Sequence, residues 1–409
     1  MSALEDTTIW RNRTFLHVWA AGVFAMLGFS MLFLTTSWYV INELNMPAFV
    51  GVVLTVITVP RVVMMIFGGV VADRKKKSKV MFVTNSLQTL MLCILTMLLA
   101  FDALTILPLL IGAFIFGVLD AFFYPAVMAL IPSAVAHHQI QRANSVFHGT
   151  VELMFLFGPL LAGLLLTVSN YTVTLAVAAV FVGVSAIAVY PRFIHDVPAS
   201  TNSDETPQAV GRDLMVGLRY VQGSQMIRSG ILAIVYVNLF VIGPMIVSFP
   251  ILVDDSGGTA FDLSLLEAGL SVGTFAASFC VYIISQRPGR GRIVSVTLLL
   301  TMGAFFVFSQ VESIPALMVW AAVAGFGCMI VYLPSLTIIQ EHTDEDKLGR
   351  VMSVVTVASE GFAPVAFAIV SLFVGVGIHI NAVLTTASLA GVVLALLFLL
   401  RAHLFRTSA

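Results

Sequence analysis

The sequence predicts an all-α membrane protein of twelve transmembrane helices, arranged as two pseudo-symmetric six-helix bundles. Three observations carry that expectation. Hydrophobic residues make up 59% of the 409-residue chain and charged residues 10%, where soluble domains run at roughly 45–50% and 25%. Twelve apolar segments are each long enough for a membrane helix, which needs about 20 such residues. The basic residues also fall in loops of one parity, as the rule for cytoplasmic loops requires.

The stretch MSALEDTTIWRNR carries both signs of charge and enters an apolar run too long for a signal peptide, so it reads as the approach to an uncleaved first span. The spans then follow at roughly 15–41, 48–72, 80–100, 104–133, 144–168, 171–190, 226–253, 263–285, 293–311, 314–339, 351–376 and 380–401. Most connections are short. The exception is 191–225, whose first part is rich in Pro, Ser, Thr, Asn and Asp and reads as a linker. Its later part places Val210, Leu214 and Leu218 at i, i+4 and i+8, the spacing of an amphipathic surface helix. The expected organisation is therefore a bundle over 1–190, a linker over 191–225 and a second bundle over 226–409.

The run GGVVADRKKKSK, Gly68–Lys79, puts five of the twenty Lys and Arg residues at the end of span two. With a cytoplasmic N-terminus, nineteen of the twenty bases lie in cytoplasmic loops or termini, and only Arg61 remains, within span two. Positive charge holds loops inside, so both termini and the 191–225 segment are expected in the cytoplasm. The outer loops carry acids such as Asp254, Asp255 and Asp262.

Several classes of function are disfavoured. The net charge is −1 and the basic clusters abut apolar spans, so no face suits nucleic acid. Cys93, Cys280 and Cys328 sit in separate spans, which reads as helix packing rather than a disulfide or metal site. No GxxxxGK[ST] phosphate loop, HExxH or CxxC is present, and no Ser/His/Asp or di-acid constellation has convincing spacing. Neither an enzyme nor a bound cofactor or metal is expected. A polytopic sensor would carry a folded soluble domain, for which the central segment is too short.

Two halves around a long loop suggest duplication. Arg142, Ser145 and Glu152 recur as Arg350, Ser353 and Glu360 at one offset of 208, and Pro125 and Pro334 match at 209. Spans 4–5 and 10–11 are thus candidate equivalents.

A charge at mid-bilayer costs about 2.5–3.5 kcal/mol even on the lenient insertion scale, so each one kept there needs a reason. By position the candidates are Arg61, Asp120, Glu152 and Glu360; Glu267 lies nearer the outer surface, where hydration accounts for it. Arg61 and Asp120 lie at similar depth, and pairing would neutralise both. Glu152 and Glu360 occupy symmetry-equivalent positions. An unpartnered carboxylate in low dielectric holds its proton to higher pH, as a proton-coupling site requires. Asp120 and Glu152 are the favoured coupling acids, with a structural Arg61–Asp120 pair as the alternative; Glu360 either couples, meets span two or meets substrate. Aromatic residues including Phe29, Phe33, Tyr124 and Tyr332, with Asn238 as a polar exception, are the expected wall of a substrate cavity.

Gly69–Arg74, GVVADR followed by bases, resembles the motif that the major facilitator superfamily carries between spans two and three, with Lys76 where the family has a second glycine. Gly158–Gly163, GPLLAG, is similar to the family's antiporter motif in span five. RNRTFLHVW, IPSAVAHHQIQRANS and GLRYV resemble the subgroup of enterobactin exporters and macrolide efflux pumps. The resemblance covers nearly the whole chain and implies the major facilitator fold. It implies a cytoplasmic gate at Gly69, Asp73 and Arg74, with Asp73 facing the N-terminus of a helix in span eleven. It also implies that span five, through Gly158, Pro159 and Gly163, meets span eight, whose Gly269, Gly273 and Ala277 form a flat stripe.

The expectation is a monomeric secondary transporter of a bacterial inner membrane, exporting a small amphipathic compound of drug or siderophore type in exchange for protons. A lipid or lysolipid flippase and an importing permease are the alternatives. Its partners would be the small-molecule substrate, protons and the lipid bilayer.

Overall fold

The computed structural model describes residues 9–194, 207–284 and 289–401, leaving aside the side chains of 66, 70, 72–74, 207–214, 282–284 and 401. The helices run α1 Arg13–Asn42, α2 Val50–Arg74, α3 Lys77–Ala100, α4 Ile106–Ala134, α5 Ile140–Val168, α6 Tyr171–Ala188, α7 Pro207–Gly223 and α8 Gln225–Val237. They continue as α9 Gly243–Asp255, α10 Ala260–Ile284, α11 Arg290–Phe308, α12 Ile314–Glu341, α13 Leu348–Glu360, α14 Ala363–Gly375 and α15 Ile380–Arg401. Twelve segments among the described residues are long and apolar enough to cross a membrane. Two of them are interrupted. Span seven is α8, a π-helical turn at Asn238–Ile242 and α9; span eleven is α13 and α14, separated at Gly361–Phe362.

Helix starts follow local chemistry. Asn12 caps α1, its Oδ1 accepting from the Phe15 N–H at 3.1 Å, and Asn170 caps α6 by accepting from Val173 N–H at 2.9 Å. At α10 the cap is reciprocal: Asp262 Oδ2 accepts from the Thr259 N–H at 2.8 Å, while Thr259 Oγ1 accepts from the Asp262 N–H at 3.4 Å. Tight turns use left-handed residues at Asn45 and Asp102, residue types whose short polar side chains tolerate that conformation.

Packing divides the chain into two compact units, Met1–Tyr39 with Val56–Pro207, and Val40–Thr55 with Gln208–Ala409. In the first, Phe15, Met81, Phe123, Leu130 and Phe147 belong to one buried core. Polar ties cross this unit: Asn85 Nδ2 donates to Ser185 Oγ at 2.6 Å, and Ser185 Oγ donates to the Ala21 carbonyl at 2.7 Å. Asn12 Nδ2 donates to the Ala134 carbonyl, and Trp19 Nε1 to Thr150 Oγ1 at 3.1 Å. The motifs RNRTFLHVW and IPSAVAHHQIQRANS thus meet at the Asn12–Ala134 tie, an internal structural contact.

In the second unit α10 packs on α12 through small residues. A Cβ on Gly273 would lie 1.9 Å from the Ala322 carbonyl oxygen, and one on Gly325 would lie 2.4 Å from that of Leu270. The stripe that the resemblance offers to span five is thus occupied by α12. The linker helix α7 docks on the same unit. Gly217 approaches the Arg350 backbone, Tyr220 Oη accepts from the Asp344 N–H at 3.2 Å, and Val221 joins a core with Ile227, Ile339 and Val351. This accounts for Gly217, Tyr220 and Val221 of GLRYV. Of the predicted amphipathic set, Val210 and Leu214 lie outside the described side chains, and Leu218 is exposed. The 40–55 segment belongs here: Pro47–Phe49 packs on α14, Thr55 Oγ1 donates to the Pro364 carbonyl at 3.3 Å, and a Cβ on Gly51 would lie 2.4 Å from the Phe367 carbonyl oxygen.

Candidate functional site

The first unit brings an acid and a base together inside the membrane-spanning region. α2 and α4 approach closely at Gly117, where a Cβ would lie 2.0 Å from the Ile57 carbonyl oxygen. One turn further along each helix stand Arg61, four residues after Ile57, and Asp120, three after Gly117. Arg61 Nε lies 2.9 Å from Asp120 Oδ2, with side chains only 18% and 15% exposed. An ion pair at that distance offsets part of the cost of holding both charges away from water.

Aromatic rings surround the pair. The Arg61 guanidinium carbon lies 5.8 Å from the Phe29 ring centroid, within reach of the ring quadrupole. Phe29 in turn lies 5.9 Å from Phe33, 5.7 Å from Phe116 and 6.4 Å from Phe155. Phe29 and Phe33 were expected from sequence; Phe116 and Phe155 were not. Tyr124 is half-buried on α4, one turn beyond Asp120. Glu152 stands on α5, exposed, one turn before Phe155, and its carboxylate has no hydrogen bond or ion pair among the described residues.

The GPLLAG stretch is buried at Gly158, Pro159 and Gly163. Gly158 faces α1, where a Cβ would lie 2.6 Å from Ser30 Cβ. Pro159 stays inside a continuous α5. Gly69 is half-buried with open space where a Cβ would be, and the side chains of Asp73 and Arg74 lie outside those described.

In the second unit the two interruptions meet. Pro244 has no N–H to give Phe240, and the Gly243 N–H instead reaches the Asn238 carbonyl, the i to i−5 bond of a π turn. Asn238 Nδ2 donates to the Ile234 carbonyl at 3.0 Å. In span eleven Pro364 cannot donate to the Glu360 carbonyl, and α13 ends there. A Cβ on Gly243 would lie 2.4 Å from Ala366 Cβ and 3.2 Å from the Ala363 carbonyl oxygen, so the glycine lets the π turn rest on the break. Glu360 is half-buried at the end of α13. Tyr332 packs, partly buried, against the Ile227–Ile339–Val351 core. Beside the π turn an apolar cavity of about 310 Å³ is lined by residues including Phe240, Pro244, Phe373, Ile378 and Thr386.

Among the described residues no group of three or more His, Cys, Asp or Glu could hold a metal. The side chains that stand out are the Arg61–Asp120 pair, Glu152, Glu360 and the rings around Phe29.

Enterobactin exporter EntS of Escherichia coli O1:K1 / APEC is 26% identical over 300 residues, covering 69% of this chain and 67% of that protein. The protein of the same name from Shigella boydii serotype 4 (strain Sb227) gives the same values. In structure, the nucleoside transporter NupG is similar with a TM-score of 0.77 at 12% identity, covering 95% of this chain and 99% of that one. The POT family transporter PepTSo follows at 0.72 and 14%, covering 97% and 99%. The family model described as Major Facilitator Superfamily matches residues 18–359 and again 229–407. With twelve spans, two interrupted helices and a family match running through both units, the chain belongs to the major facilitator superfamily.

Proposed function

We propose that this transporter exports a small amphipathic compound in exchange for protons, by alternating access of the 1–190 and 226–409 bundles about the 191–225 linker. The observation that carries the reading is the Phe29 cluster of the first unit. The Arg61–Asp120 pair lies beside Phe29, Phe29 meets Phe155 at 6.4 Å, and Glu152, whose carboxylate has no partner among the described residues, precedes Phe155 by one turn of α5. Aromatic walls bind partly apolar ligands by area without fixed hydrogen-bond geometry. Glu152 is the proton carrier in this reading, Asp120 is the counter-charge of Arg61, and Glu360 is the repeat-related acid at the break in span eleven.

Export is supported by the resemblance of GPLLAG to the antiporter motif, and by relatives named as enterobactin exporters. The segregation of bases supports both termini in the cytoplasm of a bacterial inner membrane, with Asp73 and Arg74 at a cytoplasmic gate. A lipid or lysolipid flippase is the second reading, favoured by the apolar cavity beside the π turn.

The test uses the purified full chain in liposomes containing a trapped pH dye. Addition of enterobactin or ethidium should move protons in the direction opposite to the compound. Glu152→Gln should abolish that coupled flux and retain exchange of labelled compound across the membrane. Compound movement without any proton flux in the unaltered protein would refute coupling.

A further inference from the structure

The circumference of α10 divides into three faces. At roughly 100° per residue, Leu263, Leu266, Gly269, Gly273 and Ala277 fall together, and this is the face closed by α12. Val272, Phe275 and Phe279 form a second face and are 52%, 47% and 66% exposed, as side chains turned to lipid should be. The third face holds Glu267, Ser271, Thr274 and Ser278 at i, i+4, i+7 and i+11, all half-buried. The hydroxyls donate along their own helix: Ser271 Oγ to the Glu267 carbonyl at 3.0 Å, Thr274 Oγ1 to Ser271 at 2.8 Å and Ser278 Oγ to Thr274 at 3.1 Å. Their lone pairs remain available as acceptors.

Glu267 heads that line, and its carboxylate makes no hydrogen bond or ion pair among the described residues. The sequence also supplies no base nearby. No Lys or Arg occurs from Ser229 to Gln286 or from Ile293 to Asp346. The helices packed on α10 are α9 and α12, whose charged residues are the acids Asp254, Asp255 and Glu341, each at a helix end. An intramembrane carboxylate with no partner in its own bundle asks for one from outside. A face presenting one carboxylate and three hydroxyl acceptors, with no donor cation, is complementary to a positively charged, hydrogen-bond-donating group.

The geometry points to Glu267 as a substrate-recognition residue. With the Ser271–Thr274–Ser278 line it forms a subsite for the cationic or amine-bearing end of an amphipathic organic cation. The assignment rests on the transporter reading above and narrows it, because a compound carrying only negative charge would be repelled there. The sequence alone offered simple hydration near the outer surface for Glu267; the recognition role proposed here rests on its position at the head of a continuous polar face.

The experiment is equilibrium binding of tetraphenylphosphonium to the full-length protein in detergent, which needs no proton gradient and so is independent of coupling. The unaltered protein and Glu267→Asp should bind within a fewfold of each other, and Glu267→Gln should bind at least about tenfold more weakly. A second measurement keeps the unaltered chain: tetraphenylphosphonium should protect Glu267 from carbodiimide modification, read by peptide mass. Absence of binding by the unaltered protein, equal affinity in Glu267→Gln, or no protection would each overturn the assignment. Loss of proton-driven transport with this binding intact would fail the coupling proposal alone.

Discussion

Removing one partner of the Arg61–Asp120 pair measures what that pair does. In Asp120→Asn the Arg61 guanidinium keeps its place beside Phe29 and loses its counter-charge. Two unit charges about 4 Å apart attract by ~4 kcal/mol at an effective dielectric near 20. Breaking a buried pair by removing one member costs about 3–5 kcal/mol. The 15–18% residual exposure of these side chains admits some solvent, so about 3 kcal/mol is the expected loss. Arg61→Gln with Asp120→Asn removes both ions together and should return stability to within about 1 kcal/mol of the parent. Equilibrium unfolding in mixed detergent micelles, followed by tryptophan fluorescence, reads both variants. The coupling energy between the sites comes from the double-mutant cycle. Full stability in Asp120→Asn, or a double variant no better than the single one, would refute the idea that the pair is a structural neutraliser. Recovery of compound-driven proton flux in the double variant would leave Glu152 as the coupling acid.

Two further outcomes follow from close backbone approaches. Gly273→Ala places a Cβ 1.9 Å from the Ala322 carbonyl oxygen and must push α10 from α12, whereas Gly303 on α11 has open space. The first should cost about 1–3 kcal/mol as overpacking, and Gly303→Ala should be neutral or gain up to about 1 kcal/mol from helix propensity; the same unfolding assay separates them. Gly217→Leu collides with the Arg350 carbonyl oxygen, 2.6 Å from even a bare Cβ. It should lift α7 from α13, seen as faster tryptic cleavage at Arg219 with the spans intact.

The number and place of the spans were legible because bilayer thickness demands long apolar runs whatever their neighbours. The Arg61–Asp120 pair was legible for a related reason: two charges at equal depth have few other ways to be neutralised. Which rings surround them was not, since Phe116 and Phe155 reach Phe29 only through the rotation of α4 and α5, fixed by packing at Gly117 and Gly158. The interruptions were also hidden. Pro60, Pro125, Pro159 and Pro334 all sit inside continuous helices, so proline alone does not announce a break. What distinguishes Pro244 and Pro364 is that their irregular backbones rest on each other through Gly243. The GLRYV stretch looked like a signature of ancestry and proves to be a docking surface. The membership of residues 40–55 in the second unit had no sequence signal, because it rests on packing of Pro47–Phe49 against α14 and on the approaches of Gly51 and Thr55 to the backbone at Phe367 and Pro364.

The interruptions also bear on how the chain enters the bilayer. α8, α9, α13 and α14 each have 13 residues, about 20 Å of helix, against a hydrocarbon core of about 30 Å. None can serve alone as a stable inserted segment, so each pair must be delivered to the membrane as one length of chain. A chain cut between spans leaves fragments made of complete membrane helices, each with its backbone satisfied internally and free to associate by side-chain packing. A cut at the turn by Gly257 respects that condition. A cut at Gly361 would strand two stubs with exposed peptide groups in hydrocarbon, and the fragments would have no inserted state from which to find each other.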